Sequence, residues 1–288
     1  MTTVGRKRVW QCGHYRLPLA RTLVMGILNV TPDSFSDGGR YADTAVAIER
    51  GHALVAEGAH LIDVGGESTR PGSDTVSVED ELTRVVPVVS ALAERLGVPI
   101  SVDTRNAEVA AACVASGASI INDISGFSDP AMVEVAASGD AGLVVMHMLG
   151  EPKSMQDEPH YADVVAEVCG YLATRARMLE DAGVIPGRIA LDPGIGFGKT
   201  TAHNLALLQN LEEFVSLGYP LLVGASRKRF IGEITSVPTP AGRVQGSVAV
   251  ACWSALHGTD IVRVHDVAPT VEALAMFATL AGDGAESV

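Results

Sequence analysis

The chain has 288 residues, 47% of them hydrophobic and only 5% aromatic, which suits one large α/β barrel or two ordinary domains with cores filled by Val, Ala, Leu and Ile. A formal net charge of -13 and a pI near 5.0 set the surface against nucleic acid and anionic membranes, so neither is an expected partner. Any anionic substrate needs a local cluster of positive charge.

Met1 to Arg8 is polar and basic, without the apolar stretch of a signal peptide, and no run approaches a membrane span. A cytoplasmic protein is expected. The cysteines Cys12, Cys113, Cys169 and Cys252 are scattered, with no C-x-x-C pair. The last three sit in Ala- and Val-rich helical surroundings and read as core filler.

In chain order, residues 8 to 20 alternate around Gly13 like a short hairpin that covers one end of the domain. Residues 1–22 are therefore assigned to an N-terminal segment and 23–288 to a single domain. Leu23–Val30 is a branched, apolar run typical of a strand covered on both faces. It breaks at Pro32 into a polar loop holding Thr31, Asp33, Ser34, Phe35, Ser36 and Asp37, ending in glycines. A helix from about Asp43 to Glu57 closes at Gly58, and the strand Leu61–Val64 opens a second Gly-rich loop. Ser77-Val-Glu-Asp80 has the form of a capping box for a helix reaching about Leu96.

The alternation continues with a strand at Val98–Asp103, a helix around Glu108–Ser116 and a strand at Ser119–Asp123. Asp129-Pro130 starts a helix with proline in its first turn. Gly142–His147 is a strand, followed by a long loop to Tyr161 and a helix to about Ala182. Arg188–Asp192 is a strand, with a helix around Leu205–Leu217, and Pro220–Ala225 is a strand, then a loop and a helix from about Arg243 to His257. Asp260–His265 is the last strand, and Pro269 opens the last helix. Eight strand–helix units in strict alternation predict a closed parallel (β/α)8 TIM barrel.

In such a barrel the βα loops converge at the C-terminal ends of the strands. Those ends carry Asn29, Asp63, Asp103, Asn122 with Asp123, His147, Asp192, Ser226 to Arg229, and Arg263 with His265. Arg70, Arg227, Lys228, Arg229, Arg263 and His265 supply the positive cluster that an anionic substrate needs, with Arg forks suited to phosphate oxygens. For Arg227 and Arg229, solvated surface charge is an equal alternative. Asp103, Asn122 and Asp192, from three strands, suit a flat heterocycle with N–H donors and ring acceptors. Two acids could hold a metal, but no second His or third carboxylate is grouped with them at ligand spacing. Structural hydrogen bonding is an open alternative for Asp63 and Asp123. Asp192-Pro-Gly-Ile-Gly-Phe-Gly-Lys-Thr200 is not a phosphate loop, because Gly194 precedes Gly198 by three intervening residues rather than four. His14, His52, His60, His160, His203 and His257 show no partner pattern.

These motifs together resemble the dihydropteroate synthases of bacterial folate biosynthesis. The resemblance runs from about Met25 to Ala281 and rests on seven motifs at strand ends. They are Asn29-Val-Thr-Pro-Asp-Ser-Phe-Ser-Asp-Gly-Gly39, Gly65-Gly-Glu-Ser-Thr-Arg-Pro-Gly72, Asp103-Thr, Asn122-Asp, Asp192-Pro-Gly-Ile-Gly-Phe197, Ser226-Arg-Lys228 and Arg263-Val-His265. It implies a transferase that condenses (7,8-dihydropterin-6-yl)methyl diphosphate with 4-aminobenzoate, assisted by Mg²⁺, and that sulfonamides inhibit. By the same resemblance Asn29, Asp103, Lys228, Arg263 and His265 are catalytic. Asp103, Asn122, Met146, Asp192, Lys228, Arg263 and His265 bind the pterin diphosphate, and Asn29 helps hold the Mg²⁺. Phe35, Thr69, Arg70, Pro71, Phe197 and Arg229 line the aminobenzoate site, with Asp37 and Arg70 ordering the closed loops. Arg229 stands where many members have Ser, so either its backbone N–H or its charge serves the aminobenzoate carboxylate. A homodimer is implied, with Val244–Leu256 a plausible contact. The alternatives are a pterin-binding methyltransferase domain and a catalytically silent pterin-binding paralogue.

Overall fold

The computed structural model describes residues 8–30, 40–67, 76–151 and 153–281. Ahead of the barrel, β1 (Val9–Cys12) and β2 (Tyr15–Pro18) form an antiparallel hairpin. Eight parallel strands follow: β3 (Leu23–Asn29), β4 (Leu61–Gly65), β5 (Ile100–Asp103), β6 (Ile120–Asp123), β7 (Gly142–Met146), β8 (Ile189–Asp192), β9 (Leu222–Val223) and β10 (Ile261–Val264). They lie in the order β8-β7-β6-β5-β4-β3-β10-β9. The ring closes by a parallel bridge between Leu191 and Leu221, where the Leu191 N–H donates to the Pro220 carbonyl at 2.8 Å. The expected strand at 220–225 is thus reduced to a two-residue ladder, because this seam pairs through a single bridge.

In the hairpin, Trp10 and Cys12 are fully buried against Leu23, Met25, Leu61, Ile120 and Ile261, residues from the starts of the strands. The hairpin therefore plugs the N-terminal mouth. The Trp10 indole donates to the Arg188 carbonyl at 2.9 Å, and the Arg188 guanidinium donates to the carbonyls of Ala141 and Ala136 at 2.8 and 2.7 Å. Trp10 and Arg188 are thus satisfied by fixed backbone, and removing the indole would cost about 3–5 kcal/mol.

The outer helices are α1 (Arg40–Ala56), α2 (Val78–Arg95), α3 (Ala107–Ala115), α4 (Pro130–Ser138), α5 (Val164–Asp181), α6 (Thr201–Gln209), α7 (Leu211–Val215), α8 (Arg229–Thr235), α9 (Val244–Leu256) and α10 (Val267–Ala281). Ser77 caps α2 by accepting from the Asp80 N–H, and Asp129 caps α4 with Pro130 in its first turn. Gly58 and Gly117 end α1 and α3 at φ +99° and +107°, a left-handed turn that suits glycine.

Several helical boundaries differ from expectation. The helix expected over 205–217 is two, because Asn210 leaves the helical region and its side chain bonds back to the Ala206 carbonyl. The capping box of Thr200 and His203 starts α6 four residues early. Helix α8 lies where a loop was expected; its seven residues include Gly232, too short and too weak a pattern to read. In α10 the proline is third rather than first, tolerated because first-turn N–H groups have no helical partner. No helix among the described residues is long and apolar enough to cross a membrane.

Candidate active site

The C-terminal mouth gathers the side chains that the strand ends deliver. Arg263, on β10, spans the floor: its Nε donates to Asp63 Oδ2 and its Nη2 to Asp103 Oδ2, both at 2.6 Å. Asn122, beside Asp103 in the ladder, donates Nδ2 to the same Asp63 oxygen at 3.1 Å. Burial lifts Asp103 above the ordinary carboxylate range; Arg263 opposes that lift, and Asp63, Glu81 and Asp123 add to it. For Arg263 burial works against the charge, but Asp63 and Asp103 outweigh it and hold the guanidinium ionised.

Across the mouth, Asp192 ends β8 opposite Met146 at the end of β7, both nearly fully buried. Asp192 Oδ1 accepts from the Gly194 N–H at 2.7 Å, and burial raises its pKa against the pull of Lys228. Lys228 reaches from the end of the β9 loop to the Ile195 carbonyl, its Nζ 4.4 Å from the centre of the Phe197 ring. Burial brings its pKa down to about 7, with Asp192 resisting and Arg263 assisting. Phe197 thus faces the floor with a cation on its ring.

The loop after β8 is held on every side. Gly196 N–H donates to Asn204 Oδ1 at 2.7 Å, Gln156 donates to the Gly196 carbonyl at 2.7 Å, and the Tyr161 hydroxyl donates to the Gly198 carbonyl at 2.9 Å. At Gly194, φ is +66° and a Cβ would stand 1.8 Å from the His147 carbonyl oxygen, so only glycine fits. Sequence reasoning missed Lys199, which is 3% exposed and bonds His147 Nδ1 at 2.9 Å and the Phe197 carbonyl at 3.0 Å. Its pKa falls to about 7 by burial, Asp192 opposing and Lys228 assisting; that of His147 falls to about 3 by burial and the nearby Lys199. His147 is therefore a neutral acceptor that ties the β7 and β8 loops together. No local spacing signals that pair, because its members lie 52 residues apart.

The remaining expected residues divide. Asn29 ends β3 beside Gly65, and a Cβ there would lie 3.9 Å from Asn29 Oδ1 and 3.8 Å from Asp103 Oδ2, ordinary contact distances that place both oxygens next to that glycine. His265 follows β10 with its Nδ1 3.0 Å from Ser226 Oγ. Asp123 turns out to be structural, accepting from the N–H groups of Ser125 and Phe127, both at 2.7 Å. Arg227 is taken up by Asp266 in a two-pronged pair at 2.9 and 2.6 Å, which favours its surface reading over a ligand contact. The Arg229 side chain is 83% exposed and paired with Glu233 at 2.6 Å, leaving its backbone N–H in the first turn of α8 as the inward-side candidate. Phe35, Asp37, Thr69, Arg70 and Pro71 lie outside the described residues.

A floor of carboxylate and amide acceptors, bounded by a lysine, an arginine and an aromatic face, can orient a flat nitrogen heterocycle. Among the described residues no group of three or more His, Cys, Asp or Glu is placed to hold a metal ion. The family model for pterin binding enzymes matches residues 25–265. The chain is 50% identical to the dihydropteroate synthase of Escherichia coli K12, over 90% of this chain and 91% of that one. This chain belongs to the dihydropteroate synthase family. Its fold superposes on the Xanthomonas albilineans enzyme with 4-aminobenzoic acid at a TM-score of 0.91, 46% identity and 96% and 98% coverage. For the Burkholderia cenocepacia enzyme complexed with 7,8-dihydropteroate the values are 0.87, 44%, 97% and 99%. Family membership favours neither a methyltransferase domain nor a silent paralogue.

Proposed function

We infer that this chain condenses (7,8-dihydropterin-6-yl)methyl diphosphate with 4-aminobenzoate, giving 7,8-dihydropteroate and pyrophosphate in folate biosynthesis. The observation that carries the residue assignment is the floor of Asp103, Asn122 and Asp192 facing Lys228 beneath Arg263. Three acceptors from three strands match the N–H edge of a pterin, and Lys228 donates to its ring acceptors. Met146 packs on the ring. Arg263 and His265, two residues apart at the end of β10, take the diphosphate, and Phe197 borders the aminobenzoate ring, for which the family resemblance also implies Phe35, Thr69, Arg70 and Pro71.

The chemistry asks for leaving-group stabilisation and alignment of two flat reactants, not for a strong base. A Mg²⁺ ion would neutralise charge on the departing diphosphate. Asn29 fits that ion: a single amide oxygen beside the Cβ-free Gly65 suits a cation held mainly by phosphate oxygens and water. Arg263 needs no reorganisation to receive the charge, since two carboxylates already fix its plane.

The cytoplasm is the expected compartment for such a chain. A homodimer through α9 is supported by Trp253 and Leu256 on α9 and Met276 and Leu280 on α10, all exposed large apolar residues. Sedimentation at a single monomer mass across micromolar concentrations would remove the dimer.

The deciding assay is pyrophosphate release from the purified protein with the pterin diphosphate and Mg²⁺, with and without 4-aminobenzoate. Release that depends on aminobenzoate and is lost in Lys228→Ala and Asp103→Ala is expected. Release that persists in both variants would refute the assigned floor.

A further inference from the structure

Asp63 is fully buried in the middle of β4, and one of its oxygens does all the bonding that is visible. Oδ2 accepts from Arg263 Nε at 2.6 Å and from Asn122 Nδ2 at 3.1 Å. Oδ1 is buried with no partner among the described residues. A buried carboxylate with an orphaned oxygen costs stability, so packing alone does not explain an acid here.

The consequence falls on Asn122. Its backbone is fixed, because its carbonyl accepts from the Thr104 N–H at 3.0 Å and its neighbour in the ladder is Asp103. Its side-chain amide has two faces, one donating and one accepting, which packing barely distinguishes. Asp63 Oδ2 takes an N–H from Arg263 Nε as well as from Asn122 Nδ2, so toward both neighbours it acts as an acceptor. Asn122 must therefore turn its NH₂ toward Asp63 and its Oδ1 away from it. We propose that Asp63 is a positioning residue that locks the Asn122 amide with its carbonyl oxygen presented to the mouth, so that the site selects a ring bearing an N–H donor at that place. An acceptor there would face Asn122 Oδ1 without a proton between them. This rests on the reading of Asn122 as a contact of the pterin ring.

The test uses 6-hydroxymethylpterin, which carries the ring and no diphosphate, titrated calorimetrically into the full chain. Asp63→Asn keeps the shape but lets residue 63 offer either an oxygen or an N–H, freeing Asn122 to flip. Ring affinity is expected to fall about tenfold in Asp63→Asn. In an Asn122→Ala background the same change is expected to cost less than about threefold, since the coupling passes through the amide. Unchanged affinity in Asp63→Asn, or the same loss in both backgrounds, would overturn the proposal. If Asn122→Ala itself binds the ring like the unaltered protein, the contact reading fails and takes the proposal with it. Should Asp63→Asn not fold, neutron diffraction from the unaltered, deuterium-exchanged protein decides: amide deuterons facing Asp63 are expected, and deuterons facing the mouth refute the lock.

Discussion

Lys199→Met would probe a cation in the mouth that is only 3% exposed. The unfolded lysine keeps its proton to near 10.5, whereas burial brings the folded group down to about 7. Between those values the unfolded chain binds more protons than the folded one, so stability rises with pH through this window. The cost of the buried ammonium is fully present below pH 7 and fades above it. For a single group with these values, the gain from pH 7 to 9 is about 2 kcal/mol. Methionine removes that gain. It also removes a like charge from Lys228, whose own depressed pKa then moves up, which flattens the profile further. Against this stands a pH-independent loss of about 1–3 kcal/mol for the stranded acceptors at His147 Nδ1 and the Phe197 carbonyl. Urea unfolding of both proteins at pH 7 and pH 9 reads the difference, in which titrations other than those of Lys199 and its neighbour Lys228 cancel. The deficit of the variant is expected to grow by about 2 kcal/mol between the two. A deficit that is the same at both would show that the ammonium stays charged in the fold, and would refute the reasoning.

Other outcomes follow from the same geometry. Arg263→Met strands two buried carboxylates, so a loss of about 3–5 kcal/mol in unfolding free energy is expected alongside lost turnover; Arg263→Lys, with no fork to reach both acids, should recover stability only in part. Gly194→Ala forces a Cβ onto the His147 carbonyl at positive φ, and a drop of more than about 3 kcal/mol is expected from denaturation. Chelation of Mg²⁺ should abolish pyrophosphate release, restorable by adding the ion back, while 6-hydroxymethylpterin titrations stay unchanged; loss of ring binding would contradict the protein-borne floor. Sulfonamides should inhibit competitively against 4-aminobenzoate, and an inhibition constant far above its Michaelis constant would contradict the inhibition that the family resemblance implies.

The barrel is legible in the sequence because most of its strands are apolar, branched runs closed by a polar residue, and because glycines such as Gly58 and Gly117 punctuate the helices. What the sequence conceals depends on contacts between distant residues. Nothing near Arg227 announces that Asp266 will claim it, or near Asp63 that Arg263 and Asn122 will share one of its oxygens. Asp123 and Asp103 look alike as acids ending consecutive strands, yet one folds back onto its own loop and the other meets Arg263. Lys199 reads in the sequence only as part of a phosphate loop that fails on spacing; a lysine bonded to neutral acceptors leaves no charge pattern to find. Helix α8 escapes for another reason, since seven residues following Lys228 are too few for a periodic signal.

The two ends of the barrel are held by different rules. At the plugged end, Arg188 spends its guanidinium on carbonyls that cannot move, and the Trp10 indole is satisfied by Arg188 itself. At the mouth, a carboxylate oxygen of Asp63 is orphaned, two lysines are depressed to about 7, and Gly194, Gly196 and Gly198 all take positive φ within five residues. The hydroxyls of Ser119 and Thr259 are unpartnered nearer the plugged end, but the depressed lysines and the run of positive-φ glycines belong to the mouth, which a fold selected only for stability would not favour. Apolar replacements of similar size at Asp63 and Arg263 together could therefore leave the barrel as stable as before. They would remove the acceptor that orients Asn122 and the fork that awaits the leaving group, which is why stability and turnover should separate at this floor and not at the plugged end.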